Sequence, residues 1–137
     1  MSTPAPTLLG WSHVALSVRD REASARFYGE VLGFEVLEKI THEEFDELVL
    51  LHRASGTVLC LQQHRANRGE PAHPARTGAD HVAFRVGTRA ELDDWERFLA
   101  ARGVRHSPVA DRHYGAVLCL RDPDDIQLEL FWRADHP

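Results

Sequence analysis

Two short stretches decide the fold of this chain: HVALSV at His13–Val18 and HVAFRV at His81–Val86. They agree at four of six positions and lie 68 residues apart in a chain of 137. A second pair of segments has the same offset, VLLHRASG at Val49 and VLCLRDPD at Val117. Repetition over most of a chain indicates a fold built from copies of one structural unit. We therefore predict two similar units.

Each unit is predicted to contain a strand, a helix and then three strands, which makes the chain an α+β protein. We call the units module 1, residues 10–64, and module 2, residues 80–133, both with approximate bounds. Residues 65–79 contain two prolines and two glycines and show no hydrophobic periodicity, which is typical of a surface linker. The length of 137 residues predicts a single domain.

Both helices show start and stop signals in the sequence. Asp20 is a good N-cap for the first helix and Gly33 a good C-terminal stop, while Thr88 and Glu91 form a candidate capping box for the second. Spacing predicts the buried stripes: Ala23, Phe27 and Val31 in the first helix; Leu92, Trp95 and Leu99 in the second.

Strand alternation predicts which side chains point away from the helices. Successive side chains of a strand point to opposite faces, and a sheet covered by helices on one side puts its apolar set there. His13, His81 and Glu129 then share the opposite, concave face. Cys60 and Gln62, in the strand TVLCLQQ, fall on this face as well. Repeat-equivalent strand positions thus carry His, Cys, His and Glu.

This pattern predicts a metal site formed by His13, His81 and Glu129. Two histidines and a carboxylate on one side of an ion leave coordination positions free for a substrate with two adjacent oxygens. We expect Fe(II) first, because the same ligands then leave room for dioxygen; Mn(II), Ni(II) or Zn(II) would suit isomerisation or addition.

Composition excludes several function classes. The net charge of −5 and the scattered arginines argue against nucleic acid as a partner. No apolar run has the roughly 20 residues of a membrane helix, so no membrane partner is expected. The first ten residues lack a signal-peptide pattern, which predicts a cytoplasmic protein. Cys60 and Cys119 lie in strand-like segments and are expected to be free thiols.

The sequence resembles the vicinal oxygen chelate superfamily, which includes glyoxalases, extradiol dioxygenases and proteins that confer resistance to fosfomycin or bleomycin. The segments that carry the resemblance are HVALSVRD, FYGEVLGFEVL, TGADHVAFRV and RDPDDIQLELF. It implies paired βαβββ modules whose curved mixed sheet surrounds an open cup with a divalent metal. It also implies a homodimer, and the family's metal ligands map onto His13, His81 and Glu129.

Cys60 departs from the family pattern. In metal-binding glyoxalase-like members this position tends to be a glutamate that acts as ligand and base, work that a thiol does not perform. The resemblance therefore does not extend to lactoylglutathione lyase activity. Fosfomycin-modifying members have a threonine where this chain has Ala15, and that activity is not assigned either. Cys60 is expected to line the cup as a small substrate-contacting residue.

Several further residues are candidates for the site. Tyr114 is a candidate for proton transfer at the rim of the cup, and packing at a strand end explains it equally well. His113 is a second candidate that is better explained as a solvated residue. Gln62 could donate a hydrogen bond to a substrate oxygen, and Arg85 could pair with a substrate carboxylate. Trp11 and Phe131 are aromatic candidates for substrate contact.

Two functions remain open on the sequence alone. The favoured one is a metal-dependent enzyme, either a dioxygenase or an isomerase or lyase, that acts on a small oxygenated or aromatic metabolite. The alternative is a resistance protein that sequesters a natural product or antibiotic without chemistry. The complete set of three ligands favours the enzyme, whereas Cys60 and the aromatic residues favour the binding protein.

Overall fold

The computed structural model describes residues 1–137 and contains eight strands and two helices. The elements of module 1 are β1 (Val14–Ser17), α1 (Arg21–Leu32), β2 (Glu35–Thr41), β3 (Phe45–His52) and β4 (Thr57–His64). Those of module 2 are β5 (His81–Arg85), α2 (Arg89–Ala101), β6 (Ala110–Arg112), β7 (Gly115–Arg121) and β8 (Gln127–Trp132). The predicted α+β class with two βαβββ units is confirmed. Neither helix has the length and apolar character needed to cross a membrane.

The strands form two sheets of four, one from each module. Their orders are β1-β4-β3-β2 and β5-β8-β7-β6, so the two sheets repeat the same topology. In each sheet the first strand runs parallel to the last, and the other neighbours are antiparallel. Because the first strand is followed by a helix, this parallel pairing is the one expected of a crossover connection.

The helix caps follow the sequence signals. The Asp20 side chain accepts hydrogen bonds from two backbone amides of α1, and Gly33 ends this helix with φ of 78°. Thr88 caps α2 through the amide of Glu91. The Glu91 carboxylate, however, accepts from the amide of Gly87 at 3.0 Å rather than from Thr88, so the predicted capping box is displaced by one residue.

The buried face of α1 differs from the predicted stripe. Val31 is buried as predicted, but Ser24 and Tyr28 are also buried, whereas Phe27 is only half-buried. The cause lies in module 2. The Tyr28 hydroxyl donates to Asp122 at 2.8 Å, and the Ser24 hydroxyl donates to Asp124 at 3.3 Å. These contacts give the polar groups of Ser24 and Tyr28 partners on the buried side of α1, which an apolar pattern alone does not predict.

The segment VRHSPV of module 2 has a strand-like pattern but is mostly irregular in the structure. His106 makes one isolated bridge to Leu120, and the regular strand β6 begins only at Ala110. Ser107 bonds to Cys119 through both its backbone amide and its hydroxyl, which satisfies the edge of β7 without a regular ladder. Pro108 follows and has no amide hydrogen to donate.

One hydrophobic cluster of 18 buried residues spans both modules. The strand residues in it are those that alternation assigns to the helix side, such as Leu59, Leu61, Leu128 and Leu130. We call the other side of each sheet the open face. Ala15 and Ser17 are exposed on the open face of β1, while Leu16 between them is buried. The predicted alternation is thus confirmed for β1, β5 and β8.

Candidate metal and substrate site

His81 and Glu129 come together on the open face of module 2. β5 and β8 are parallel neighbours, and the ladder pairs Ala83 with Glu129. The side chain of His81 therefore reaches the carboxylate of Glu129, and its Nε2 lies 3.6 Å from Oε2. A nitrogen and a carboxylate oxygen at this separation, both on one face, are a suitable pair of ligands for a divalent metal.

Asp80 fixes the orientation of the His81 ring. Its Oδ1 lies 2.8 Å from His81 Nδ1. An ionised carboxylate only accepts hydrogen bonds, so Nδ1 donates to Asp80, and Nε2 is the ring nitrogen that remains available to a metal ion. A carboxylate that holds the distal nitrogen of a histidine in this way is the usual outer partner of a metal-binding imidazole. The sequence prediction missed Asp80, although this residue directly precedes a predicted ligand.

Gln127 fixes the carboxylate of Glu129. Its Nε2 donates to Glu129 Oε1 at 3.0 Å, which leaves Oε2 directed at His81. The side-chain carbonyl of Gln127 in turn accepts from Arg121 at 3.1 Å. The Cys119 thiol lies 3.8 Å from the same Oε1, and burial together with the charge of Glu129 raises the pKa of this thiol. Glu129 is thus held directly by Gln127 and Cys119, and Arg121 supports it through Gln127.

His13 lies apart from this pair. It directly precedes β1, is exposed, and its Nδ1 lies 3.0 Å from the hydroxyl of Ser12. Within one chain, no three His, Cys, Asp or Glu side chains lie close enough together to hold a metal. His13 and His81 do line one cavity of about 870 Å³ between the modules, together with Trp11 and Arg85. The chain alone therefore provides two of the three predicted ligands in mutual contact.

The aromatic residues predicted to contact the substrate lie in two separate parts of the structure. Tyr114 lies in the turn before β7 and stacks on Phe131 of β8, with ring centroids 5.9 Å apart and an angle of 15°. This pair lies on module 2, on the sheet that carries His81 and Glu129. Trp11 is 93% exposed and precedes β1 with His13. Arg85 is exposed on the open face of β5.

Cys60 and Gln62 lie on the open face of module 1 beside Glu47, a carboxylate that the sequence prediction missed. Gln62 Nε2 donates to Glu47 Oε2 at 2.8 Å, and β3 pairs Glu47 directly with Gln62. Burial, and then the neighbouring Glu47, raise the pKa of the Cys60 thiol. Glu47 alternates with the buried Leu48, a pattern that could have placed it on this face from sequence alone. Both cysteines are free, as predicted.

Two repeated βαβββ units, each closed by a parallel first and last strand, define the vicinal oxygen chelate fold. The family model of the Glyoxalase/Bleomycin resistance protein/Dioxygenase superfamily matches residues 10–130, and the chain belongs to this superfamily.

Known proteins that resemble the chain carry several activities in their names. The glyoxylase/bleomycin resistance protein/dioxygenase domain from Frankia sp. EAN1pec is 31% identical, with a TM-score of 0.86 over 93% of this chain and 99% of that one. Catechol-2,3-dioxygenase of Bacillus subtilis (strain 168) is 28% identical over 91% of this chain. The chain spans only 41% of that enzyme's length.

A more distant neighbour contains a metal. A variant of the fosfomycin resistance protein FosX from Listeria monocytogenes was crystallised with Mn(II) and 1S,2S-dihydroxypropylphosphonic acid. It is 22% identical, covers 91% of this chain and 90% of its own, and has a TM-score of 0.69. At this identity the likeness concerns the fold.

Proposed function

We propose that this protein is a divalent-metal-dependent enzyme that acts on a small metabolite with two adjacent oxygen atoms. The observation that carries the proposal is the pair His81 Nε2 and Glu129 Oε2, 3.6 Å apart on one open face. Asp80 and Gln127 hold the distal atoms of both side chains, which directs their free atoms at a common point. Such orientation is costly to maintain for side chains without a ligand.

The third ligand is His13, supplied by a second copy of the chain in a homodimer. His13 directly precedes β1 and His81 begins β5, and both are edge strands with one unpaired side. A second copy could pair along these edges, which soluble proteins rarely leave open. Each homodimer would then hold two metal ions, each bound by residues of both chains.

The bound ion would act as a Lewis acid toward a substrate that chelates it through two oxygens. We expect Fe(II) and ring-cleaving dioxygenase activity first, in line with the catechol-2,3-dioxygenase relative. Mn(II), which FosX binds, is the next candidate and would fit isomerase or lyase chemistry.

The remaining candidates bind and orient the substrate. The stacked Tyr114 and Phe131 offer an aromatic wall near Glu129, and the Tyr114 hydroxyl could move a proton at the substrate oxygen. Arg85 and Trp11 extend the binding surface along the cavity between the modules. The compartment we propose is the cytoplasm, where free thiols such as Cys60 and Cys119 stay reduced.

The decisive experiment measures metal content by mass spectrometry, on untagged protein purified under nitrogen. We expect about one ion per chain in the wild type and a loss of metal in His81→Ala and Glu129→Ala, because two ligands cannot hold a catalytic ion firmly. Glu96→Ala, on the surface of α2, serves as the control and should retain full metal.

Mixing two inactive homodimers tests where His13 acts. His13→Ala and His81→Ala each lack a ligand, but a heterodimer of the two variants contains one intact site if the ligands come from different chains. Metal should then return to about one ion per heterodimer after subunit exchange. If the three ligands belong to one chain, mixing restores nothing. Absence of metal in the wild type would overturn the proposal of a metal-dependent enzyme and favour a sequestering protein. Such a protein would still bind its ligand when a chelator is present, and would release that ligand chemically unmodified.

A further inference from the structure

A second cavity, of about 640 Å³, adjoins the proposed metal site on module 2. Cys119 and Gln127 line this cavity, and both contact Glu129 Oε1, at 3.8 Å and 3.0 Å. The ladder pairs Cys119 with Glu129 and Arg121 with Gln127, so these two pairs are successive on the open face. Successive pairs on one face of a sheet lie about 7 Å apart. A small molecule that chelates a metal at Glu129 can therefore extend into the cavity.

This cavity carries an excess of positive charge, and we call it the basic cavity. Arg105 and Arg121 line it, whereas Asp125 is the only acidic residue in its lining. Asp125 Oδ1 accepts from Arg105 at 2.7 Å, so this carboxylate balances one of the two guanidinium groups. The remaining positive charge suits an anion, since the fork of N–H groups of arginine matches carboxylates and phosphates.

Arg121 has no carboxylate partner within the chain. Its Nη1 donates to the backbone carbonyl of Asp125 at 3.0 Å, and its Nη2 donates to the side-chain carbonyl of Gln127 at 3.1 Å. Both acceptors are neutral, although Arg121 is half-buried. Charges that are withdrawn from water are normally paired with an opposite charge. An anion in the basic cavity would supply the partner that Arg121 lacks.

Asp125 supports both arginines from a strained backbone position. It is the only residue other than glycine with a positive φ, 61°. Its carboxylate contacts Arg105, and its backbone carbonyl contacts Arg121. A glycine would relieve the strain but would lose the carboxylate that holds Arg105. Strain of this kind is typical of functional sites, where it serves to orient other groups.

The linker between the modules contributes a further hydrogen-bond donor. His73 lines the basic cavity, and its Nδ1 accepts from the backbone amide of Ala75 at 3.1 Å. The neutral imidazole therefore carries its proton on Nε2, which is left as a donor. The amide of Ala72 donates to the carbonyl of Asp124 at 2.8 Å and so holds the linker against the loop before β8.

We infer that the basic cavity binds the acidic group of the substrate, so that the enzyme acts on carboxylic acids that also carry two adjacent oxygens. This inference rests on the proposed function, because the metal would hold the adjacent oxygens at Glu129 while Arg105 and Arg121 hold the carboxylate. The spacing of about 7 Å along the open face is close to that between a hydroxyl and a carboxylate on opposite sides of a benzene ring. Arg85, the arginine that the sequence offered for a substrate carboxylate, lines the other cavity, between the modules.

Two matched probes test the inference on the full-length protein loaded with Mn(II). They are 3,4-dihydroxybenzoate and its neutral amide, 3,4-dihydroxybenzamide. Both present the same pair of adjacent oxygens, and they differ in the charge of one group. In isothermal titration calorimetry under nitrogen, we expect the wild type to bind the acid roughly 10–100-fold more tightly than the amide, because charge-assisted hydrogen bonds to arginine are strong.

Arg105→Gln removes one cation of the basic cavity at a position that contacts only Asp125. It should reduce the preference for the acid by about 3–5-fold, the effect of a largely exposed charge, with the Mn(II) content unchanged. Arg97→Gln is the matched control. Arg97 is 71% exposed against 73% for Arg105 and also pairs with an aspartate, but it lies on α2 outside the cavity. A preference lost in Arg85→Gln and kept in Arg105→Gln would place the acid in the other cavity and overturn the inference.

Arg121→Gln should remove the preference almost completely, because Arg121 is the cation without a carboxylate partner. Arg121 also supports Glu129 through Gln127, so this variant is expected to hold the metal less firmly. Both probes chelate the metal in the same way, so weaker metal binding affects both equally. The ratio of the two affinities therefore reports the anion site, and an unchanged ratio would overturn the inference.

The metal content of the same samples separates two failures. If the wild type holds Mn(II) but binds both probes equally, the basic cavity does not bind the acid, and the proposed metal enzyme stands. If the wild type holds no metal, the proposed function fails. A preference for the acid that persists in the metal-free protein and is lost in Arg121→Gln would then retain the anion site, whereas no preference would overturn it as well.

Discussion

Each predicted histidine ligand is oriented by the residue directly before it. His81 is held by Asp80 and His13 by Ser12, and these two partners occupy equivalent positions of the repeat. The partners differ in chemistry. The carboxylate of Asp80 fixes the tautomer of His81, whereas a hydroxyl can donate or accept and leaves the tautomer of His13 open.

This difference predicts unequal effects on metal affinity. Asp80→Ala should weaken Mn(II) binding by roughly 10–100-fold, because the ring of His81 loses the partner that orients it and raises its basicity. Ser12→Ala should have a smaller effect. The concentration of free Mn(II), followed by electron paramagnetic resonance in a titration, gives both affinities.

Asp94→Ala, on the exposed surface of α2, is the control for the loss of an acidic residue. Equal affinities for wild type and Asp80→Ala would mean that the contact between Asp80 and His81 does not serve a metal.

At the scale of the elements, Gly115 determines how closely β7 approaches β8. A Cβ atom at this position would overlap the backbone carbonyl oxygen of Trp132. Ala116, the next residue, pairs with Trp132 in the ladder, so the backbone there cannot move away without breaking the pairing. No residue other than glycine fits this approach.

Gly115→Ala should therefore reduce the free energy of unfolding by about 2–3 kcal/mol, as overpacking against fixed backbone does. Gly56→Ala is the matched control. Gly56 has φ of +72°, but no atom lies within 4 Å of the position that an added methyl group would take. Gly56→Ala should therefore reduce the free energy of unfolding only by the cost of backbone strain, about 1 kcal/mol. Urea unfolding of both variants measures the difference; equal losses would contradict a clash at Gly115.

At the scale of the whole molecule, a buried polar cluster joins the modules. Tyr28 of α1 donates to Asp122, and Asp124 accepts from Ser24 and from the backbone and side chain of Arg19. Burial raises the pKa of Tyr28 and also that of Asp122, although the Tyr28 hydroxyl partly offsets the shift of Asp122. Through this cluster and the shared core, the modules should unfold together.

Tyr28→Phe should cost about 1–3 kcal/mol of unfolding free energy, because Asp122 loses a donor while it stays buried. The loss should depend on pH. The folded-state pKa of Asp122 lies above its unfolded value. Its contribution to stability is therefore fully present below the unfolded pKa and is lost as the pH rises through the folded-state pKa. Removing the Tyr28 donor raises that pKa further, and the deficit of the variant should be larger at about pH 8 than at about pH 4.5.

Urea unfolding at the two pH values measures this deficit. Tyr114→Phe is the control, because the Tyr114 side chain is exposed and its hydroxyl makes no hydrogen bond within the chain. A deficit that is equal at both pH values would contradict a titration of folded-state Asp122 between them.

The sequence by itself determined the repeat, the strand faces and the helix ends. These features depend on residues a few positions apart: alternation places Glu129 on the face of His81, and Asp20 caps the helix that it precedes. The shift of the buried stripe of α1 could not be read in this way, because the partners of Ser24 and Tyr28 are about 100 residues away in the chain.

Only the tertiary structure determines which of the candidate site residues contact each other. It brought His81 to Glu129, left His13 outside that pair, and set Glu47 beside Gln62. Alternation gives the face of a side chain but not the distance across a sheet or between sheets, which follows from strand order and from the docking of the modules. Local sequence therefore predicts which residues can belong to the site, and the tertiary structure determines which of them are in contact.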